Sequence, residues 1–295
     1  GITAYQMSWL KHYYPLEFYV GLYNQQPMGF YSIESIKEDA RRHGITVINP
    51  DVNMSADIST IHQDQLLVGL SNIIQLGQTL TDRVLRERES GGSFISLEDF
   101  MRRTCIKRKP LENLVSAGAF DTLNRDRREL MWEIGLRYRP IGSQPALPLP
   151  VGQDMTPLDP LDEWEEMAGE YASMDLYPRG HMMELARNFL PLDVLPADKL
   201  GYVENGKEVL VAGRVIRRQH PSGKAIFLTL EDEHGHIPVM MFPNTYRRFR
   251  HIIQKPILLV KGIVSRREGT MNIMLTSVLP FDVSVDALPV SKDWH

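Results

Sequence analysis

Cysteine is nearly missing: Cys105 is the one thiol among 295 residues. A single cysteine excludes an intrachain disulfide and any zinc site built from a cysteine cluster, and it suits a reducing compartment. There is no run of about 18 apolar residues, so no membrane span is expected. The chain opens Gly1-Ile2-Thr3, without a methionine and without a charged-then-apolar leader. No secretion signal is expected, and the chain reads as a piece of something longer. Catalytic signatures are missing too: there is no Walker loop, no His-Glu-x-x-His and no serine or cysteine elbow. His181, His220, His234 and His236 do not stand at metal-ligand spacing with Cys105. Glu231-Asp232-Glu233 reads as a solvated hairpin tip rather than a metal site. No catalytic residue, metal or cofactor is therefore assigned to this chain.

What is present is an ordinary globular composition, 43% apolar and 24% charged, and enough chain for about two domains. The net charge of −4 argues weakly against a polyanionic partner, but it hides a segregation. Residues 141–206 hold 12 acidic against 3 basic side chains, whereas residues 207–267 hold 12 basic against 4 acidic. Residues 101–140 hold 10 basic against 5 acidic. Two basic modules flank an acidic one, and a basic module is the electrostatic footprint of nucleic-acid binding.

Along the chain, residues 5–27 are apolar and aromatic all round and broken by Pro15, which predicts two packed helices. Ser32 to His43 predicts a helix capped by Ser32 or Ser35 and stopped by Gly44. Residues 57–67 suggest a connecting strand pair, and helices dominate from about Val68 to Tyr138. Residues 139–160 carry six prolines and few charges, a linker that forms no core. Residues 161–188 predict one amphipathic helix with an acidic start at Asp162 and Glu163, and with Trp164, Met167, Tyr171 and Met174 at helical spacing.

The stretch Leu67–Leu123 carries most information. Leu70 to Thr81 reads as a helix–hairpin–helix in which Gly77 lets the backbone approach a phosphate and the N–H groups of Gly77, Gln78, Thr79 and Leu80 open the next helix toward it. Such hairpins hold duplex by its backbone and read no bases. A packing corner is the alternative. Ser96 then caps a helix with acids in its first turn, and Arg102, Arg103, Lys107, Arg108 and Lys109 cluster behind it. The cluster is either a solvated face or, beside a hairpin, the set that neutralises phosphates.

From Glu208 the period changes to two. Strands are predicted at 209–215, 225–231, 237–242, 257–266 and 271–278, with a helix at 246–254 between the third and fourth. That is the order of the OB fold, a small Greek-key barrel, with Gly213 and Gly262 at its sharp bends. The fold class is therefore α+β and multidomain: a helical and tandem helix–hairpin–helix region followed by a five-stranded barrel. Arg214, Arg217, Arg218, Lys224, Tyr246, Arg247, Lys261 and Arg266 are the candidate single-strand contacts, accompanied by Arg248, Arg250 and Arg267. Phe227 and Phe242 read first as core and second as stacking platforms. In the proline-rich linker, Gln144, Leu147 and Leu149 have the spacing of a peptide that docks on a bacterial sliding clamp; plain linker is the other reading.

Taken in order, these segments resemble the carboxy-terminal third of the bacterial C-family DNA polymerase, the polymerase III alpha subunit, and in particular its error-prone, DnaE-like branch. The likeness rests on Ala4-Tyr5-Gln6-Met7-Ser8-Trp9-Leu10-Lys11-His12-Tyr13-Tyr14-Pro15-Leu16-Glu17-Phe18, Asn24-Gln25-Gln26-Pro27-Met28-Gly29-Phe30-Tyr31, Asp39-Ala40-Arg41-Arg42-His43-Gly44, Pro50-Asp51-Val52-Asn53, Ala117-Gly118-Ala119-Phe120-Asp121 and Gly180-His181. It covers residues 1–280. Two positions depart: Gln75 stands where the hairpin usually has a second glycine, and Met182 where a proline often follows Gly-His. The resemblance implies an end of the fingers at 1–56, tandem helix–hairpin–helix at 57–138, a linker with clamp peptide at 139–160, an acidic helical connector at 161–206, an OB fold at 207–283 and a tail at 284–295. It further implies a bacterial cytoplasmic enzyme whose palm and phosphoesterase domains precede Gly1. Their magnesium-dependent nucleotidyl transfer would lie outside this chain, whose partners would be primer–template DNA, single-stranded template and the clamp. A free-standing nucleic-acid-binding module, or a protein adaptor in a repair complex, remains the alternative.

Overall fold

The computed structural model describes residues 1–29, 31–124, 126–138, 158–220, 225–267, 269–279, 281 and 292–294. The clamp-type residues Gln144, Leu147 and Leu149 lie outside the described residues, as do Lys224 and most of the tail. The chain divides into two units, Gly1–Met28 with Asp39–Arg179, and Gly29–Glu38 with Gly180–His295. Among the described residues no helix is long and apolar enough to cross a membrane.

In the first unit, α1 (Ile2–Tyr13) and α2 (Pro15–Asn24) break at Tyr14, with Pro15 at the first helical position, where its missing N–H costs nothing. Only α2 contributes to the core, through Tyr19 and Tyr23; α1 buries none of its residues. α3 (Ile33–Arg42), whose residues up to Glu38 fall in the second unit, starts where the Ser32 hydroxyl accepts the Ser35 N–H, at 3.2 Å, and is followed by Gly44 in the left-handed region, φ +78°. β1 (Val47–Ile48) runs parallel to β3 (Gln65–Leu67), which pairs antiparallel with β2 (Thr60–His62). The expected strand pair is thus part of a three-stranded sheet.

Four helices follow: α4 (Gly77–Gly91), α5 (Leu97–Thr104), α6 (Arg108–Ser116) and α7 (Arg127–Arg137). Phe94, Phe100 and Phe120 pack edge to face between them, with ring centroids 4.8 and 5.0 Å apart. Ala117-Gly118-Ala119-Phe120-Asp121 closes α6: Gly118 has φ +79°, and a Cβ there would lie 2.3 Å from the Arg127 guanidinium. That guanidinium, 1% exposed, pairs with Asp121 at 2.6 Å and with Glu170 at 2.9 Å. Burial disfavours its charge, but Asp121 and Glu170 outweigh burial and hold the guanidinium above its ordinary value. Glu170 comes from α8 (Glu163–Met174) and also meets Arg179, at 2.8 Å. The turn after α6 is therefore fixed by an ion cluster centred on the buried Arg127 and Glu170.

The single helix expected over 161–188 is broken. Asp162 forms a capping box with Glu165, and Met167, Tyr171 and Met174 are buried as their spacing requires. The helix stops because Asp175 turns left-handed, φ 55°, with Pro178 close behind. A separate short helix, α9 (Met182–Ala186), begins at buried His181, whose Nδ1 accepts the Met183 N–H.

The second unit is built on β4 (Glu208–Gln219), β5 (Ile226–Asp232), β6 (Gly235–Met241), α10 (Pro243–Ile253), β7 (Ile257–Arg267), β8 (Thr270–Leu279) and β9 (Lys292–Trp294). The first five strands run in the order β5-β6-β8-β7-β4, and β4 pairs again with β5, so the barrel closes and leaves no open edge between them. β9 lies parallel on β4. Val211, Leu228, Leu230, Val239, Val260 and Ile273 fill the interior. Gly213 and Gly262 stand where a side chain could not: a Cβ would meet the Glu231 carbonyl oxygen at 2.9 Å and the Ile273 side chain at 2.5 Å.

Glu231-Asp232-Glu233 is not the solvated tip the sequence suggested. Glu231 and Asp232 are fully buried. Glu231 binds Arg214 at 3.0 Å and His236 at 3.1 Å; Asp232 accepts the N–H groups of Ala197, His234 and Gly235; Glu233 pairs with Arg187. Alternating charge and turn residues looked like a surface; cations and amides from elsewhere in the unit cover it.

Candidate nucleic-acid interface

The first four N–H groups of any helix lack partners within the helix, and a polar side chain at the N-cap normally takes one of them. Three helices of the first unit follow that rule. Ser96 accepts the Asp99 N–H before α5, Asp126 the Glu129 N–H before α7, and Asp162 the Glu165 N–H before α8, at 3.0, 3.0 and 2.8 Å. The two helices that follow the hairpins do not. Leu76 precedes α4 and Lys107 precedes α6, and neither supplies a side-chain cap.

Around α4 the hairpin is held from behind. The Ile74 N–H donates to the Ser173 carbonyl at 2.8 Å, and Asn113 of α6 donates to the Ile74 carbonyl at 2.6 Å. Gln75 is left-handed, φ +66°, which is the conformation the usual glycine would adopt without cost. Gly77, φ +63°, has nothing within 4 Å of where its Cβ would stand, and Gly77, Gln78 and Thr79 are exposed. The Gln78 amide is engaged with Asp57 and Asp82, so it is the backbone that this corner offers. The helix before the hairpin is only a single turn of 3-10 helix, Leu70–Asn72, rather than the full helix expected.

The second hairpin runs from α5 through Cys105, left-handed at φ 46°, into α6. Lys107, Arg108 and Lys109 are all exposed at the uncapped start of α6. Arg108 pairs with Glu112 at 2.7 Å, and Arg102 is 74% exposed beside Asp99. Arg103 differs from its neighbours. It donates to the carbonyls of Glu87 and Gly92 and to Asp99, and lies 4.3 Å over the Phe94 ring. That makes it a brace between α4 and α5, not a free cation.

The barrel sorts its candidates in the same way. Arg214 is 4% exposed against Glu231, and Arg218, 6% exposed, donates to the carbonyls of Ile253 and Lys255 at the end of α10. Arg266 donates to the Leu200, Gly201 and Val203 carbonyls. Arg214 and Arg218 are structural, because a guanidinium enclosed by protein acceptors cannot also meet a phosphate, whereas Arg266 stays exposed while it holds those carbonyls. Tyr246 packs against the barrel core with its ring 5.0 Å from that of His220. Arg247 and Lys261 are exposed, on α10 and β7, and Arg217 of β4 is half-buried, with Lys261 paired to Glu208 at 2.8 Å.

The phenylalanines are not where the sequence put them. Phe242 is 50% exposed and Phe227 half-buried, neither in the core. Register places Gln219 beside Phe227, Phe227 beside Met240, and Met240 beside Met274, a half-buried row across β4, β5, β6 and β8. Sequence reasoning missed Met240 and Met274. Period-two alternation was the available signal: Met241 points in, so Met240 points out.

Among the described residues no group of His, Cys, Asp or Glu could hold a metal ion. The acids at 231–233 are already occupied by Arg214, Arg187 and backbone amides, so they do not fit a magnesium site.

Comparison with known proteins matches residues 44–130 to the helix-hairpin-helix motif family and residues 209–281 to the OB-fold nucleic acid binding domain family. The chain is 34% identical over 283 residues to an error-prone DNA polymerase of Mycolicibacterium paratuberculosis, covering 92% of this chain and 25% of that protein. It is 32% identical over 311 residues to one of Anaeromyxobacter dehalogenans, covering 100% of this chain and 27% of that protein. Among solved structures, an asparaginyl-tRNA synthetase from Pyrococcus horikoshii overlaps 25% of this chain and 20% of its own, at 25% identity and a TM-score of 0.23. The chain thus spans about a quarter of the length of the curated relatives it matches. With a helix–hairpin–helix region followed by an OB fold, it matches the carboxy-terminal part of the error-prone, DnaE-like DNA polymerase family.

Proposed function

We propose that this chain is the DNA-holding part of a DNA-directed DNA polymerase of the bacterial cytoplasm, active in replication or error-prone repair synthesis. The observation that carries the reading is the start of α6, which has no side-chain cap and is surrounded by the exposed Lys107, Arg108 and Lys109; α4, after the first hairpin, is uncapped as well. A helix N-terminus with open N–H groups and nearby cations binds phosphate whatever the base sequence. Gly77, Gln78 and Thr79 supply backbone donors at the first corner. Arg102 adds charge near the second. The outward row of Phe227, Met240 and Met274, with Arg217 and Arg247, supports single-strand contact by the barrel, since the equivalent strands of OB folds bind oligonucleotides. Nucleotidyl transfer belongs to carboxylates and Mg²⁺ elsewhere in the intact polypeptide, and no catalytic step is assigned to these residues. Sequence alone supports Gln144, Leu147 and Leu149 as a sliding-clamp peptide.

Fluorescence anisotropy with duplexes of unrelated sequence tests this. Equal affinities that fall steeply with salt are expected. Strong preference for one sequence, or no binding at low salt, would contradict the reading.

A further inference from the structure

The α6 N-terminus has a neighbour that phosphate contact does not use. α7 presents Arg128, Met131, Trp132 and Leu136 to an open groove of about 610 Å³, completed by Arg108 of α6 and by Leu158. Its volume lies in the range of small-ligand sites. Trp132 is 52% exposed, although a large indole ordinarily gains by facing the core, where Leu130 and Ile134 of the same helix lie. The lining is apolar apart from two guanidiniums. Arg108 pairs with Glu112 and Arg128 with both oxygens of Glu165, at 2.7 Å each, and both guanidiniums keep surface open to solvent at the groove.

An aromatic face with cationic neighbours suits a planar, electron-rich group bearing a negative charge. A nucleotide has that chemistry: base on indole, phosphate near guanidinium. Arg108 belongs at once to this groove and to the basic start of α6, so a strand gripped at α6 runs past the groove. A paired base cannot enter, because leaving the stack costs a few kcal/mol. An unpaired base has already lost most of that energy. Resting on the proposed DNA-holding role, we infer that the Trp132 groove captures an unpaired nucleotide of the DNA held by the second hairpin, by stacking its base on Trp132. The chain then reports the presence of an extrahelical base without reading which base it is.

The test uses the full chain and three DNAs: a paired duplex, that duplex with one extrahelical 2-aminopurine, and the same bulge with an abasic residue. The chain should bind the bulged base about ten-fold more tightly than the abasic bulge, the scale of one base–aromatic stack. Trp132→Ala and Trp132→Leu should both abolish that ratio while leaving paired-duplex affinity within about two-fold, and Trp132→Phe should keep most of it. Emission of 2-aminopurine should change on binding the unmutated chain and not on binding Trp132→Leu, whose apolar bulk guards against simple unfolding. Equal affinity for the base and abasic bulges, with duplex binding intact, would overturn the inference. So would a ratio that survives Trp132→Leu. Failure to bind even the paired duplex would sink the DNA-holding reading first, and this inference with it. Binding of a peptide of alternating leucine and glutamate, abolished in Trp132→Leu while the DNAs bind alike, would overturn it in favour of a protein partner.

Discussion

The hairpin region and the barrel are both rich in arginine, yet they place it differently. Around the second hairpin the cations sit at the mouth of an uncapped helix and point to solvent, apart from the brace Arg103. In the barrel, two of the surface-expected arginines turn inward, Arg214 to a buried carboxylate and Arg218 to the end of α10, while the exposed Arg266 lies across a 3-10 turn. A charge count cannot separate these cases. What separates them is whether unsatisfied carbonyls and carboxylates of the same fold lie within reach, because a buried acceptor left without a donor costs about 1–3 kcal/mol. The barrel has many such acceptors at its strand ends and uses its arginines on them. The hairpins leave donors, not acceptors, uncovered.

Perturbing the enclosed arginines should give the largest effects and should show the two regions behaving alike. Removing one partner of a buried ion pair typically costs about 3–5 kcal/mol. Arg127→Ala, which takes from Glu170 its fully buried partner and opens the turn at Gly118, and Arg214→Ala, which takes from Glu231 its buried partner, should each lower the melting temperature markedly by calorimetry. Neither should alter the salt dependence of DNA binding near its optimum temperature. A changed slope with unchanged stability would show that these arginines face the nucleic acid.

The remaining cations should distinguish the regions. Arg217→Ala with Arg247→Ala should reduce the slope of log affinity against log salt for a single strand by about 0.7 for each phosphate no longer neutralised, with blunt duplex unaffected. Equal reductions on both DNAs would erase the division between barrel and hairpin. Smaller still is the effect of capping. Ser96→Ala should destabilise by about 1 kcal/mol and leave DNA affinity unchanged, whereas Lys107→Ser should stabilise by about 0.5–1 kcal/mol and weaken duplex binding, since the new hydroxyl competes with phosphate for the Lys109 N–H, Pro110 at the next position having none. Chemical denaturation and anisotropy on the same samples would show the opposite signs, or refute them.

The slightest predicted effect is on pH. Burial pushes the Asp99 carboxyl up, but the Ile95 N–H, Arg103 and Arg102 outweigh it and hold it below the usual carboxylate range. A depressed carboxylate stabilises the fold above its unfolded value, near about 3.9 for aspartate, and that stability disappears as pH falls through the folded value. Asp99→Asn should therefore flatten the acid side of the melting-temperature profile below about pH 4. An unchanged profile would mean that Arg103 is held by the Glu87 and Gly92 carbonyls alone.

The barrel was legible in the sequence because β-strand burial alternates with period two and its bends need glycine; all five strand segments and the helix between the third and fourth are present. The hairpins were legible because Gly77 and the Ser96 cap are local signals. Partnering was not legible. The stop at Asp175 depends on an αL residue that no neighbour announces, and the burial of Glu231 depends on Arg214, 17 residues away. Trp132 lies beyond the reach of periodicity as well, since α7 has little amphipathic pattern and which side chains it leaves out is decided by the helices packed against it.

The central claim is that open N–H groups and three cations at the start of α6 hold duplex by its phosphates. The most direct measurement is the salt dependence of duplex affinity for Lys107→Ala, Arg108→Ala and Lys109→Ala together, on two duplexes of unrelated sequence. The slope should fall by about 0.9 for each phosphate that the chain no longer neutralises, equally for both sequences, with the melting temperature unchanged. A slope identical to that of the unmutated chain would show the cluster to be a solvated face, and the account of this region would be wrong.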